Sequence, residues 1–304
     1  MTTRWHAVTG RWRRGDSETS EPVDHKPVMG ASTPPPFLTA WRDLENMVGD
    51  LLVRRSFNGN FPSTIQTSAA SIDLGTARWS VYSFKPDVNA FARGDLDGRM
   101  NTFLDSIPDG HKTTLIAWHE PEDNIARGQF SLSAFIDMQV RLADLIHATG
   151  RPELTHGIVL MGWTLDPRSG RDAESYYPPA VSSRVDYMGW DVYNPYHPEE
   201  GRTNWVRWTE EDAAPKIISM ARARSKQVML AEYGTAEHET NPALKPEYLA
   251  AVYRWACDNS EVAALTYFQN TQGGNNTGPV DTRPIDSSQA SIDEFAAEVE
   301  DSKL

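Results

Sequence analysis

From residue 27 onward, short apolar runs alternate with longer segments of helical period, eight times over. The runs fall at 27–32, 52–57, 78–84, 113–118, 156–162, 184–190, 227–232 and 262–268. Most are rich in Val, Ile, Leu and Tyr and are bounded by turn residues, as expected of strands buried on both faces. The clearest helical segment is 131–149, where Phe135, Met138, Leu142 and Leu145–Ile146 share one stripe and Gly150 stands just past the end. Residues 209–225 open with Thr209, Glu210 and Glu211, acids well placed at a helix start. Residues 246–258 open with Pro246, and less regular helical patterns cover 87–106 and 285–300. Eight strands alternating with helices predict an α/β chain folded as a single (β/α)8 TIM barrel rather than an open doubly wound sheet. The barrel is expected over 27–304. Residues 1–26 mix Arg, Ser, Glu and Pro and read as a flexible N-terminal arm.

Composition narrows the partners. The chain has 304 residues, 39% of them hydrophobic and 23% charged, which is ordinary globular usage. Its 29 basic and 42 acidic residues give a net charge of −13, so neither a nucleic acid nor an anionic membrane is an expected partner. No window holds the ~18 consecutive apolar residues of a membrane span. The Arg residues near the N-terminus are followed by no apolar stretch, so no secretory signal is expected and localisation stays open. A monomer is expected. The single cysteine, Cys257, excludes an internal disulfide or a Cys-based zinc site and reads as a small buried residue on a helix. Phosphate-cradling glycine loops are not indicated, and no cofactor is expected. Asn275-Asn276-Thr277 reads as part of a Gly/Asn-rich loop. Of the 10 Trp, Trp5 and Trp12 fall in the arm, and Trp41 and Trp255 read as helix packing. Trp118, Trp163 and Trp190 sit at or beside strand ends, where an indole can stack on a sugar ring.

In a barrel the chemistry lies at the C-terminal ends of the strands. The residues following the eight runs are polar or aromatic: Thr33, Asn58, Lys85, His119-Glu120, Trp163 with Asp166, Asp191 with Tyr193, Glu232-Tyr233, and Gln269-Asn270. Two carboxylates stand out, Glu120 after the fourth run and Glu232 closing the seventh. A Glu in such a place is costly to desolvate unless it has partners or a task. Either one alone reads as readily as half of a structural ion pair. On the fourth and seventh of eight strands, however, they face each other across the barrel mouth, and two carboxylates there can divide the labour of glycoside cleavage. Strict alternation sends His119 and Glu120 to opposite faces, so both reach the cavity only if the strand bulges or ends there. The spacings of His119, Glu120, Glu122 and Asp123 match no zinc motif, and no metal is expected.

Over roughly residues 27–270 the chain resembles the clan A retaining glycoside hydrolases, and within them glycoside hydrolase family 26, best known for β-mannanases. The likeness rests on His119-Glu120, on VDYMGWDVY at 185–193 and on LAEYG at 230–234. It implies a double displacement with Glu120 as general acid/base and Glu232 as nucleophile. It also implies that His119 helps set the first sugar subsite and that Tyr193 hydrogen-bonds the nucleophile. Arg55 matches an arginine near the end of the second strand, and Asp191 and Tyr267 join the substrate-binding set. Trp163 and Trp190 are candidates for sugar stacking, and each reads equally as core. The sequence departs from the family in three places: Pro121 follows the acid/base, EDNIARGQF replaces an aromatic-rich segment, and Tyr267-Phe268 stands where many relatives carry Trp. The implied activity is a retaining endo-β-glycosidase acting on a polysaccharide or oligosaccharide, with β-1,4-mannan as first choice. Open alternatives are β-1,3/1,4-glucan, xylan, a bacterial or capsular glycan, and a non-catalytic barrel that only binds carbohydrate.

Overall fold

In the computed structural model, which describes residues 25–303 apart from 60, 62, 76–77, 199–200 and 270–282, the eight apolar runs are eight parallel strands that close in chain order. The elements are β1 (Val28–Ser32), α1 (Phe37–Val48), β2 (Val53–Asn58), β3 (Trp79–Phe84), α2 (Val88–Arg93), α3 (Asp97–Asp105), β4 (Thr113–Ala117), α4 (Glu122–Ala126), α5 (Leu132–Ala148), β5 (Leu154–Met161), α6 (Pro179–Ser182), β6 (Tyr187–Tyr193), α7 (Ala213–Arg224), β7 (Gln227–Gly234), α8 (Leu244–Cys257), β8 (Val262–Phe268) and α9 (Gln289–Asp301). Val28 to Ser32 pair with Ala264 to Phe268, which shuts the barrel. Residues 1–24 of the expected arm, with Trp5 and Trp12, lie outside the described residues, as do Asn270 and Asn275-Asn276-Thr277. His25 donates to Val262 O at 2.8 Å and Lys26 pairs with Asp301 at 2.7 Å.

Alternation along the strands divides the core in two. Inward residues such as Val53, Val81, Ile116, Val159 and Met229 fill the barrel, and Trp79 and Tyr187 pack near its N-terminal end, ring centres 5.3 Å apart. Outward residues, among them Tyr82, Phe84, Leu115, Ile158, Trp190, Leu230 and Tyr267, pack beneath the helices. Gly189, inside the 185–193 motif, has its place for a side chain already taken: a Cβ there would stand 2.5 Å from Val159 Cγ2.

Several element boundaries differ from the pattern-based expectation. β6 runs three residues past the apolar run, so Asp191 and Tyr193 belong to the strand itself. The 209–225 helix begins only at Ala213, after a single 3-10 turn over Trp208–Glu210. The 87–106 segment is two helices, parted where Gly94 turns left-handed at φ 89°. α5 matches closely: Ser131 caps its first turn by accepting from Ala134 N at 3.1 Å, and Gly150 follows its end at φ 67°. Cys257 closes α8 half-buried rather than fully enclosed.

Candidate active site

The end of β4 departs from regular strand geometry. Thr113 N donates to Glu153 O, and Glu120 N donates to Val159 O at 2.9 Å. From Thr113 to Glu120, three residues past the end of β4, the chain advances seven residues against six from Glu153 to Val159, so one residue is bulged out where β4 ends. The bulge is made by two side-chain-bearing residues in the left-handed region, Trp118 at φ 58° and Glu120 at φ 50°. Such conformations cost about 1–3 kcal/mol each and persist only when neighbours hold them. Here Trp118 N donates to Phe84 O at 2.8 Å, and buried Gln139 of α5 donates to Ala117 O at 2.8 Å. Gln139 is itself fixed by His156, whose Nε2 donates to it at 2.8 Å. The bulge resolves the parity problem at His119 and Glu120: His119 meets the Phe57 ring at 5.3 Å, and Glu120 lines the cleft at the barrel mouth.

β7 uses the same device. Trp190 pairs with Leu230, but the next residue, Asp191, pairs with Glu232, so Ala231 is the extra residue. Met229 and Ala231 face inward and Leu230 outward, so regular alternation would have turned Glu232 toward the helices. The slip returns it to the cavity beside Asp191. On β8 the Thr266 hydroxyl lies against the carbonyls of Leu230, at 2.9 Å, and Ala231, occupying acceptors at the slipped rung.

Around Glu232 the partners are specific. The Tyr193 hydroxyl donates to Glu232 Oε2 at 2.6 Å, and Arg55 Nη2 stands 3.9 Å from Oε1. Arg55 is fully buried, donates to Ser83 Oγ, and lies 4.6 Å over the Phe57 ring. Phe57, His119, Phe268 and Tyr193 form an aromatic collar in which Phe57–Phe268 and Tyr193–Phe268 are 6.4 and 5.8 Å apart.

The titratable groups are driven apart by their surroundings. Burial, joined by the charges of Glu232 and Glu122, pushes the Glu120 carboxyl up to about 7, against the opposing pull of Lys85 and Arg55. Burial also raises Glu232, but Arg55, the Tyr193 hydroxyl and Asp191 all counter it. Asp191 is buried beside Glu232, and burial together with the charges of Glu232 and Glu120 holds it well above the carboxylate range. Of these two buried neighbours, Asp191 is pushed further toward the protonated form, because Glu232 has Arg55 and the Tyr193 hydroxyl to offset its burial. Burial and the cations Arg55 and Lys85 press His119 well below its ordinary value, so it stays neutral.

A cleft of about 630 Å³ opens from Glu120, Asp191 and Tyr193. Trp163 forms part of its wall and is 48% exposed, with Arg168 stacked 5.4 Å over its ring. Arg168 is in turn held by Asp166. Trp163 is thus placed to stack on a ligand. Trp190 is not: it is fully buried under the helices because it is one residue out of phase with inward-facing Asp191. Tyr267 is likewise core, its ring against Tyr233 and Phe295 and its hydroxyl donated to Arg283 O, while Phe268, one residue on, faces the site. Both stacking or binding expectations are corrected by strand parity, which also places Phe57 and Phe268 at the site. Glu122 accepts from Met161 N and Thr164 Oγ1 at 2.8 and 2.7 Å, and Asp123 pairs with Arg171, so neither joins Glu120. Among the described residues no cluster of three His, Cys, Asp or Glu is arranged to hold a metal ion.

No family model matches the chain, and no curated protein sequence matches it. Solved structures do. Fungal β-1,4-galactanases superpose with a TM-score of 0.59 at 14% identity, over 90% of this chain and 99% of theirs. A glycoside hydrolase family 26 β-mannanase from Bacteroides ovatus gives 0.59 at 14% identity, over 92% and 90%. A family 128 endo-β-1,3-glucanase from Sorangium cellulosum gives 0.51 at 15%, over 88% and 96%. At such identities the likeness establishes the (β/α)8 fold, the one implied by the sequence resemblance to glycoside hydrolase family 26.

Proposed function

We propose that the protein is a glycoside hydrolase that cleaves a β-linked polysaccharide with retention of anomeric configuration. The observation that carries this reading is the pair of bulges: two strands each spend one extra residue to bring a Glu into the same mouth, in contrasting surroundings. Among the described residues no side chain donates a hydrogen bond to the Glu120 carboxyl, which is pushed toward the protonated form, whereas Glu232 has a donor and a facing guanidinium. That is the division needed between a proton donor and a nucleophile.

In the first step the Glu232 carboxylate attacks the anomeric carbon while Glu120 gives its proton to the glycosidic oxygen, and the bond to the leaving sugar breaks. In the second, Glu120, now ionised, takes a proton from water. The water oxygen attacks the same carbon and the ester to Glu232 breaks, restoring both groups. Neutral His119 and Trp163 bound the sugar sites, and Tyr193 with Arg55 keeps Glu232 oriented. A carbohydrate-binding barrel without catalysis has no need for this asymmetry between two acids.

β-1,4-Mannan is the first substrate to try, on the family resemblance; β-1,4-galactan, β-1,3- and mixed-linkage glucan, xylan and microbial surface glycans complete the panel. Hydrolysis followed by NMR of the newly formed reducing end should show the β-anomer first. An α-anomer as first product would remove Glu232 from the nucleophile role. Glu232→Ala and Glu120→Ala should each lose more than about 10³-fold in turnover on a natural glycan.

A further inference from the structure

Two residues past Glu120, at the start of α4, stands another glutamate, Glu122, which is 2% exposed. Its Oε1 accepts from the N–H of Met161, the last residue of β5, at 2.8 Å and from Thr164 Oγ1 at 2.7 Å. Those two donors bracket Trp163, which sits between them in the 3-10 turn Gly162–Leu165. A second tie runs beside the first: Asp123 pairs with Arg171, and Arg171 Nη1 reaches the Met161 sulfur at 3.9 Å. On its other side the turn lies tight against β6, since a Cβ on Gly162 would stand 2.9 Å from Val192 Cγ2. The half-exposed indole of the cleft wall and the carboxyl of Glu120 are thus the two ends of one connected unit, with Glu122 between them.

Hydrogen bonding alone does not explain a carboxylate here. An amide oxygen would accept from Met161 N and Thr164 equally well, and no charge would have to leave water. What only a glutamate adds is negative charge, beside the group that must hold a proton. Burial raises the Glu122 carboxyl, but Thr164, its own N–H, Met161 N and Arg171 all favour the ionised form. Its other ionisable neighbours, Tyr176 and Tyr177, are themselves raised and stay neutral. At Glu120 the charges of Glu122 and of Glu232 on β7 favour the proton, while Lys85 after β3 and Arg55 on β2 oppose it.

We propose that Glu122 is a positioning residue for the reaction above: its hydrogen bonds hold Trp163 in register with Glu120, and its negative charge opposes loss of the proton that Glu120 must donate. β5 adjoins β4, so Trp163 stands on the flank of the mouth that carries the proton donor, where the leaving sugar lies. One side chain thereby couples the place of the leaving sugar to the readiness of the acid. The proposal rests on the glycosidase reading; the clamp on Met161 and Thr164 does not.

The test uses the full chain and two substrates. One is the polysaccharide of the panel above that the wild type hydrolyses fastest. The other is the 2,4-dinitrophenyl β-glycoside of its disaccharide, whose leaving group needs no proton and offers Trp163 no sugar. Glu122→Gln keeps an acceptor for Met161 and Thr164 and removes the charge. On the polysaccharide it should move the alkaline limb of kcat/KM down by about 0.5–1 in pH. The sign follows from the charge: without it the Glu120 pKa falls, and the proton is lost sooner as pH rises. Glu122→Ala removes clamp and charge together and should raise KM on the polysaccharide about 3- to 10-fold, with a smaller loss on the dinitrophenyl glycoside; Glu122→Gln should rescue that KM. A carboxylate that served only the fold would depress both substrates alike and leave the limb in place. An unmoved limb in Glu122→Gln, or a parallel loss on both substrates in Glu122→Ala, would overturn the proposal and leave the catalytic reading intact. Where Glu122→Ala fails to fold, the limb of Glu122→Gln decides alone. Wild-type protein that hydrolyses no glycan of the panel would instead sink the catalytic reading, and this proposal with it.

Discussion

The Tyr193 hydroxyl donates a 2.6 Å hydrogen bond to Glu232 Oε2, joining the last residue of β6 to the slipped rung of β7. A hydrogen bond to a charged acceptor contributes about 1.5–3 kcal/mol. Tyr193→Phe should therefore lower kcat/KM about 10- to 100-fold. It should also move the acidic limb of the pH profile. The donor stabilises the ionised carboxylate, so without it the Glu232 pKa rises and the limb shifts to higher pH. An unchanged acidic limb would separate Tyr193 from the ionisation of Glu232.

The alkaline limb tests the other carboxyl. Glu120 must be protonated to donate, and burial with neighbouring charge places its pKa at about 7, so activity should fall above neutrality. Lys85 opposes that rise, since a cation favours the ionised form. Lys85→Met should therefore push the Glu120 pKa further up and extend activity to higher pH. A profile for Lys85→Met in which the alkaline limb moves down would contradict this sign.

Trp163 and Trp190 should behave oppositely on truncation. Trp163 is 48% exposed in the cleft wall, so Trp163→Ala should raise KM about 2- to 10-fold at unchanged melting temperature. Trp190 is wholly enclosed among the helices, so Trp190→Ala should cost about 3–5 kcal/mol of stability. Thermal unfolding alongside substrate titration distinguishes the two. A Trp190 variant that folds normally but binds poorly would reinstate the sugar-stacking role that its burial argues against.

Strand count, strand order and the positions of Glu120 and Glu232 were legible in the sequence because a strand buried on both faces is a compact apolar run with a polar successor. Side-chain direction was not. It depends on parity, and parity at the mouth is reset by single-residue bulges whose causes are remote in sequence: Gln139 against Ala117 O, and Thr266 against Leu230 and Ala231. On β8 the alternation is unbroken, and it puts Phe268, in phase with Ala264, in the place expected of Tyr267. Phe57 sat in plain view inside RSF, two residues from Arg55, and strand alternation alone could have paired them on one face.

Glu298 on α9 offers a test of the electrostatic reading away from the site. It is 3% exposed, both of its oxygens are buried without hydrogen-bond partners, and burial together with the charge of Glu294 holds it well above the carboxylate range. In the unfolded chain a Glu ionises near pH ~4.3. Between that value and the raised folded value the unfolded state releases a proton that the folded state keeps, so folding loses about 1.4 kcal/mol per pH unit. The stability that this group lends is complete below the unfolded pKa and fades as pH rises. Glu298→Met removes the proton linkage at nearly constant volume. The melting temperature of the variant should therefore exceed that of the wild type by an amount that grows as the pH rises above the unfolded value, until the raised folded value is passed. A gap that stays constant across that range would mean that Glu298 is ionised and paired in the folded protein.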